Sequence, residues 1–135
     1  MHYGLTEASR SAFMEFHADA AHLDSVGKAS PNTDIKVMDE NGKECAFNQE
    51  GEICVKGEHV TKGYLDLPIK DSFFGDYFRT GDWGYKTEEG YIYLISRKKE
   101  LINVGGKKVS PIEVEEQLLK IDGVEDCACI GVPDE

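Results

Sequence analysis

The chain has 135 residues, 40% of them hydrophobic and 30% charged, with a formal net charge of −11. That length suits one domain or two incomplete ones. The acidic balance excludes nucleic acid as the main partner, because gripping a phosphate backbone needs a basic surface. No apolar run could span a bilayer and no basic-then-apolar leader opens the chain, so no membrane span and a cytoplasmic setting are expected.

In chain order, the first stretch reads two ways. Ala8, Ala12, Phe13, Phe16 and Ala20 fit a helical stripe, and Ser11 to Phe16 fits an extended segment equally well. From Ile35 the signals are β. Ile35 to Met38 leads into Glu40-Asn41-Gly42-Lys43, and Asn-Gly is a strong hairpin signal because both residues tolerate positive φ. Glu52 to Gly57 alternates as a second strand. Tyr91 to Ile95 follows the turn residues Glu88-Glu89-Gly90 and is apolar on both faces, which predicts a well-buried strand. Short strands with Gly-rich turns predict a distorted barrel-like or sandwich-like unit.

The character changes at the charged run Ser96-Arg97-Lys98-Lys99-Glu100. Leu101 to Val104, Gly105-Gly106 and Lys107 to Val109 predict a hairpin with a two-glycine turn. Ser110 suits an N-cap, Pro111 the first helical position and Glu113 the third residue of a capping box. Val114, Leu118 and Ile121 share one helical stripe, and Asp122-Gly123 stops the helix. Val124 to Val132 reads as one more strand. The fold class is therefore α+β and β-rich: a barrel-like unit over 1–96, a connector over 97–100, and a hairpin-helix-strand unit over 101–135. That last unit buries too little apolar surface to stand alone, and both ends of the chain look cut.

The cysteines are Cys45, Cys54, Cys127 and Cys129. None forms a C-x-x-C pair, and no His stands at metal-ligand spacing, so buried free thiols in a reducing compartment are expected. Cys127 and Cys129 would share one face of the last strand.

Four segments in order carry a family resemblance. Tyr3-Gly4-Leu5-Thr6-Glu7 resembles Y-G-x-T-E of the acyl-adenylate-forming superfamily, which includes acyl-CoA synthetases, peptide-synthetase adenylation domains and firefly-type luciferases. Gly51 to Gly57 with Gly63-Tyr64 is similar to the G-E-[IL]-x-V-[RK]-G…G-Y stretch, and Arg79-Thr80-Gly81-Asp82 to the T-G-D motif. Arg97-Lys98-Lys99-Glu100-Leu101-Ile102, with Gly106, Pro111 and Glu113-Val114-Glu115, resembles the hinge motif R-x-K-[DE]-x-I…G…P-x-E-[VI]-E. Each motif alone would be weak; four in sequence, over nearly the whole chain, reinforce one another.

The resemblance implies an acid–CoA ligase. ATP and a carboxylic acid (fatty, aryl or related) would give an acyl-adenylate, and coenzyme A would then form the thioester with release of AMP. By the same resemblance Tyr3 packs against adenine and Gly4 permits close backbone approach. Thr6 offers a hydroxyl to the α-phosphate, and Glu7 supplies a hard oxygen to Mg²⁺. Asp82 accepts from the ribose hydroxyls, and Arg97 is a cationic donor near ribose and phosphate. Lys99 is the hinge, and Gly105 and Gly106 line the pantetheine tunnel of CoA. Plainer roles compete at several positions: Thr6 and Glu7 as helix caps, Gly81-Asp82 as a turn, Gly105-Gly106 as a hairpin turn.

Peptide-synthetase adenylation domains usually carry Asp at the hinge and a basic residue where Gly105 stands, so CoA is preferred to a carrier protein. Ser96 departs from the usual Gly or Asp, and Asn103 stands where firefly-type members have a functional Lys. The family's phosphate loop and its late catalytic lysine would belong to missing parts of the same polypeptide, so the 135 residues alone are expected to be inactive. The alternatives are a non-catalytic nucleotide-binding module, a β-rich interaction module, or a carrier-protein-dependent adenylation domain.

Overall fold

A computed structural model describes residues 1–15, 18–62 and 69–133. Phe16 of the helical-stripe reading and Gly63-Tyr64 of the family stretch lie outside the described residues. So do Asp134 and Glu135.

The extended reading of the first stretch is the one adopted. Strands β1 (His2–Tyr3), β2 (Ala12–Phe13) and β3 (Lys28–Ala29) form a three-stranded antiparallel sheet in the order β1-β2-β3. Ala12 is fully buried and Tyr3, directly opposite it on β1, is 9% exposed, so the two side chains pack inward as a cross-strand pair.

The larger sheet is built from β4 (Thr33–Met38), β5 (Gly51–Gly57), β6 (Phe73–Phe74), β7 (Tyr77–Lys86) and β8 (Ile92–Arg97). Its order is β4-β5-β7-β6, with β8 also on β7, and every pairing is antiparallel. Ile35 and Val37 on β4 oppose Val55 and Ile53 on β5, so β-branched side chains face each other across the strands. With Phe78 and Ile92 they meet Tyr3, Ala8 and Ala12 of the small sheet in one hydrophobic core. The class is α+β and β-rich as expected, with sheets that stay open.

The Asn41-Gly42 turn forms: Asp39 accepts from the backbone N–H of Asn41 at 2.8 Å and of Lys43 at 2.9 Å, and Gly42 takes φ 79°. A single bridge between Met38 and Glu44 closes it, and the main partner of β4 is β5.

Beyond β8, a 3₁₀ turn at Lys98–Glu100 leads to β9 (Ile102–Val104) and β10 (Lys107–Val109), an antiparallel hairpin around Gly105-Gly106. Helix α1 (Pro111–Leu119) follows, with the Ser110 side chain accepting from the backbone N–H of Glu113 at 3.5 Å.

Three expectations need correction. Val124 to Val132 has no strand, because no neighbouring strand offers it a ladder; instead the N–H of Cys129 bonds the Glu115 carboxylate on α1 at 2.8 Å. Cys127 and Cys129 are accordingly half-buried, as is Cys45, and only Cys54 is fully buried, although all four are free. The strand predicted to be buried on both faces has Leu94 39% exposed and Tyr93 half-buried. The α1 stripe is similarly open, with Leu118 38% and Ile121 54% exposed.

Candidate nucleotide site at the junction of two sheets

Sheet register builds the centre of the site. Asp82 on β7 pairs directly with Arg97 on β8, so a carboxylate and a guanidinium face each other across the ladder. The Arg97 Nη1 donates to Asp82 Oδ1 at 2.5 Å. Tyr3, from the other sheet, donates its hydroxyl to Asp82 Oδ2 at 2.5 Å. One buried carboxylate thus collects two donors that stand 79 and 15 residues away in sequence.

The local chain holds this carboxylate still. Gly81 takes φ 76°, which bends β7 at this point. The Thr80 hydroxyl donates to the Ile53 carbonyl at 2.7 Å and accepts from the Asp82 N–H at 3.1 Å. Burial, then the hydrogen bond to Asp82, pushes the Tyr3 phenol well above its ordinary value. The bond to Asp82 likewise raises Arg97, which stays a cation. Ser96, before Arg97, buries a hydroxyl oxygen that has no hydrogen-bond partner.

Beside this centre is a cleft of about 330 Å³ lined by Leu5, Glu7, Glu52, Arg79, Thr80, Gly81 and Arg97 among others. Glu7 is half-buried and Thr6 exposed. Gly4 is required by its own loop: a Cβ there would stand 2.4 Å from the Arg10 nitrogen and 3.0 Å from the Ala8 carbonyl oxygen. Tyr3, Asp82 and Arg97 are therefore in contact, and Glu7 shares the cleft wall with Arg97. Lys99 is exposed on the 3₁₀ turn, and Gly105 and Gly106 sit in the β9–β10 turn with open space around them. Among the described residues no cluster of three or more His, Cys, Asp or Glu could hold a metal on its own. Mg²⁺ takes one or two protein carboxylates and completes its shell with phosphate and water, so a carboxylate on the cleft wall such as Glu7 would be of a type to hold it.

Sequence reading missed Glu52. Its side chain is 4% exposed and its Oε2 accepts from Arg79 Nε and Nη2 at 3.2 and 2.9 Å and from Lys98 Nζ at 3.0 Å. The signal was present: Glu52 and Cys54 share the strand face opposite Ile53 and Val55, directly across from Trp83 and Arg79.

The ordered motifs and the fold resemble those of adenylate-forming proteins. Residues 1–65 match the family of AMP-binding enzymes. The chain is 40% identical to the 2-succinylbenzoate–CoA ligase of Enterococcus faecalis, over 98% of its own length and 28% of that protein. It is 36% identical to a long-chain-fatty-acid–CoA ligase of Salmonella typhimurium, over 97% of its length and 24% of that protein. Among solved structures, the o-succinylbenzoate CoA synthetase of Bacillus subtilis, bound to its acyl-adenylate, aligns with a TM-score of 0.86 at 34% identity, covering 99% of this chain and 28% of that one. The same enzyme has been solved with ATP and magnesium, and there the TM-score is 0.85. The chain resembles a stretch of the acyl-adenylate-forming, AMP-binding family, and it spans about a quarter of the length of the relatives it matches.

Proposed function

We propose that this chain is the nucleotide- and hinge-bearing stretch of an acid–CoA ligase. The whole enzyme activates a carboxylic acid with ATP and then forms an acyl-CoA thioester, releasing AMP. The observation that carries this reading is the convergence of Tyr3 and Arg97 on the Asp82 carboxylate beside the cleft that Glu7 lines.

The geometry refines the proposed roles. Each Asp82 oxygen already accepts one donor and keeps a lone pair, so ribose hydroxyls add to a held carboxylate. Arg97 neutralises that carboxylate and leaves 45% of its side chain exposed, able to turn toward a phosphate. The Tyr3 ring is tied by its hydroxyl, which leaves an edge or face for adenine. Thr6 serves the α-phosphate, and Glu7 serves Mg²⁺, which screens the two anions as they meet. Residues 1–96 belong to the large domain, 97–100 to the hinge with Lys99 as its pivot, and 101–135 to the small domain, where Gly105 and Gly106 face the pantetheine arm. ATP, Mg²⁺ and coenzyme A are the ligands, and four free cysteines favour a reducing, cytoplasmic setting. No helix among the described residues is long and apolar enough to cross a membrane.

The test is Asp82→Asn in the polypeptide that carries this chain, read by acid-dependent ATP–pyrophosphate exchange. Losing a charged hydrogen-bond acceptor should raise the KM for ATP about ten- to hundredfold. An unchanged KM in a folded variant would overturn the nucleotide site. The 135-residue chain alone is expected to give no exchange with any acid.

A further inference from the structure

The two halves of the chain on either side of Arg97 meet through charge. Among the described residues the buried apolar side chains end at Ile92, and α1 contains no buried residue. Two lysines from the later half reach back instead. Lys98 Nζ lies 3.0 Å from Glu52 Oε2 on β5, where the carboxylate side chain is 4% and the lysine 26% exposed. Lys108 Nζ, on β10, lies 2.9 Å from Glu40 Oε1 in the turn after β4, where the carboxylate is 64% exposed. The same ammonium stands 5.7 Å from the centre of the Trp83 ring, within cation–π range.

These pairs differ in their surroundings. Arg79 grips Glu52 with two nitrogens, so the inner carboxylate is fixed before Lys98 arrives. A desolvated pair of this kind is screened little by salt, whereas the wet Glu40–Lys108 pair is screened strongly. Both can open by exchanging partners with water, without exposing apolar core.

We propose that Glu40–Lys108 is an ion-pair latch that positions residues 101–133 on the sheet, that Glu52–Lys98 fixes the near side of the hinge turn beneath it, and that opening Glu40–Lys108 gates rotation at the hinge. Glu52 and Glu40 are then positioning residues, one anchored and dry, the other peripheral and salt-sensitive. The gating half of this inference rests on the hinge reading of Lys99; the latch itself does not.

The latch is tested on the 135-residue chain by ¹⁵N relaxation. At low salt the amides of β5 and α1 should share one rotational correlation time. In Lys98→Met/Lys108→Met the α1 value should shorten about twofold while β5 keeps its value, with its shift changes confined to the surroundings of Glu52. Glu40→Lys alone should loosen α1 at the surface point, where folding is not at stake, and Glu40→Lys/Lys108→Glu should restore it. An α1 correlation time unmoved in the double Met variant, or a charge swap that restores nothing, overturns the latch. The hinge is tested apart from it: Lys99→Pro in the enzyme should impair thioester formation more than adenylation, and equal loss in both half-reactions overturns the hinge while leaving the relaxation result standing.

Discussion

Tyrosine hydroxyls serve as ties between distant segments. Tyr3 binds Asp82 across the two sheets, and Tyr91 donates to Asp19 at 2.6 Å while its ring stacks on His22, with centroids 3.7 Å apart. The bond to Asp19, then burial and the nearby negative charge, pushes the Tyr91 phenol up from 10.0 to about 12. A phenol whose folded value is raised favours the folded state while it stays protonated. Its contribution is therefore complete below pH 10, the unfolded value, and is lost as pH rises through 12. Urea midpoints measured along an alkaline series should fall in that window, in step with phenolate absorbance. Tyr91→Phe should flatten the fall. An unaltered slope in that variant would show that other groups carry the alkaline loss.

At the scale of elements, the joint between β7 and β8 decides whether Asp82 meets Arg97. The register shifts between Trp83 and Gly84, and a Cβ on Gly84 would stand 2.1 Å from the Tyr93 carbonyl oxygen. Backbone meets backbone there, so no side chain can yield. Gly84→Ala should cost roughly 1–3 kcal/mol, as overpacking does, and should part the Arg97–Asp82 pair. Gly90→Ala is the control: its φ is +95° but its surroundings are open, so about 1 kcal/mol of backbone strain is all it should cost. Thermal melts of both variants would check the order, and equal costs would remove the steric argument. This joint also marks where sequence reading stops. Ser110, Pro111 and Glu113 announce α1, and Gly105-Gly106 announces its hairpin, because caps and tight turns depend on neighbouring residues alone. The Asp82–Arg97 pairing depends on an irregular register, and Tyr3 arrives from a different sheet, so the motifs named these residues without placing them together. Glu52 escaped for a related reason: a glutamate in an alternating strand reads as solvent-facing until Arg79 and Lys98 are seen to cover it. Val124 to Val132 failed in the opposite sense, since alternation makes a strand only where a partner strand exists.

Over the whole molecule, apolar burial and ionic contact are divided between the two halves. Ile35, Ile53, Val55 and Ile92 are wholly buried in the sheet core, whereas Ile112, Leu119, Ile121, Ile130 and Val132 are between 44% and 78% exposed. Stability follows buried apolar area, so local opening should be cheap beyond the hinge and expensive on β5 and β7. Amide exchange should accordingly leave α1 nearly unprotected, with β5 exchanging only through global unfolding. Urea unfolding should then lose two-state form, with helical ellipticity falling before the emission of Trp83, the one tryptophan of the chain, which is 6% exposed in the sheet. High salt should widen the gap between the two curves by screening Glu40–Lys108, while Glu40→Lys/Lys108→Glu should keep the low-salt gap unchanged. Coincident curves at every salt concentration would mean that the later half is bound to the sheet by more than its ion pairs.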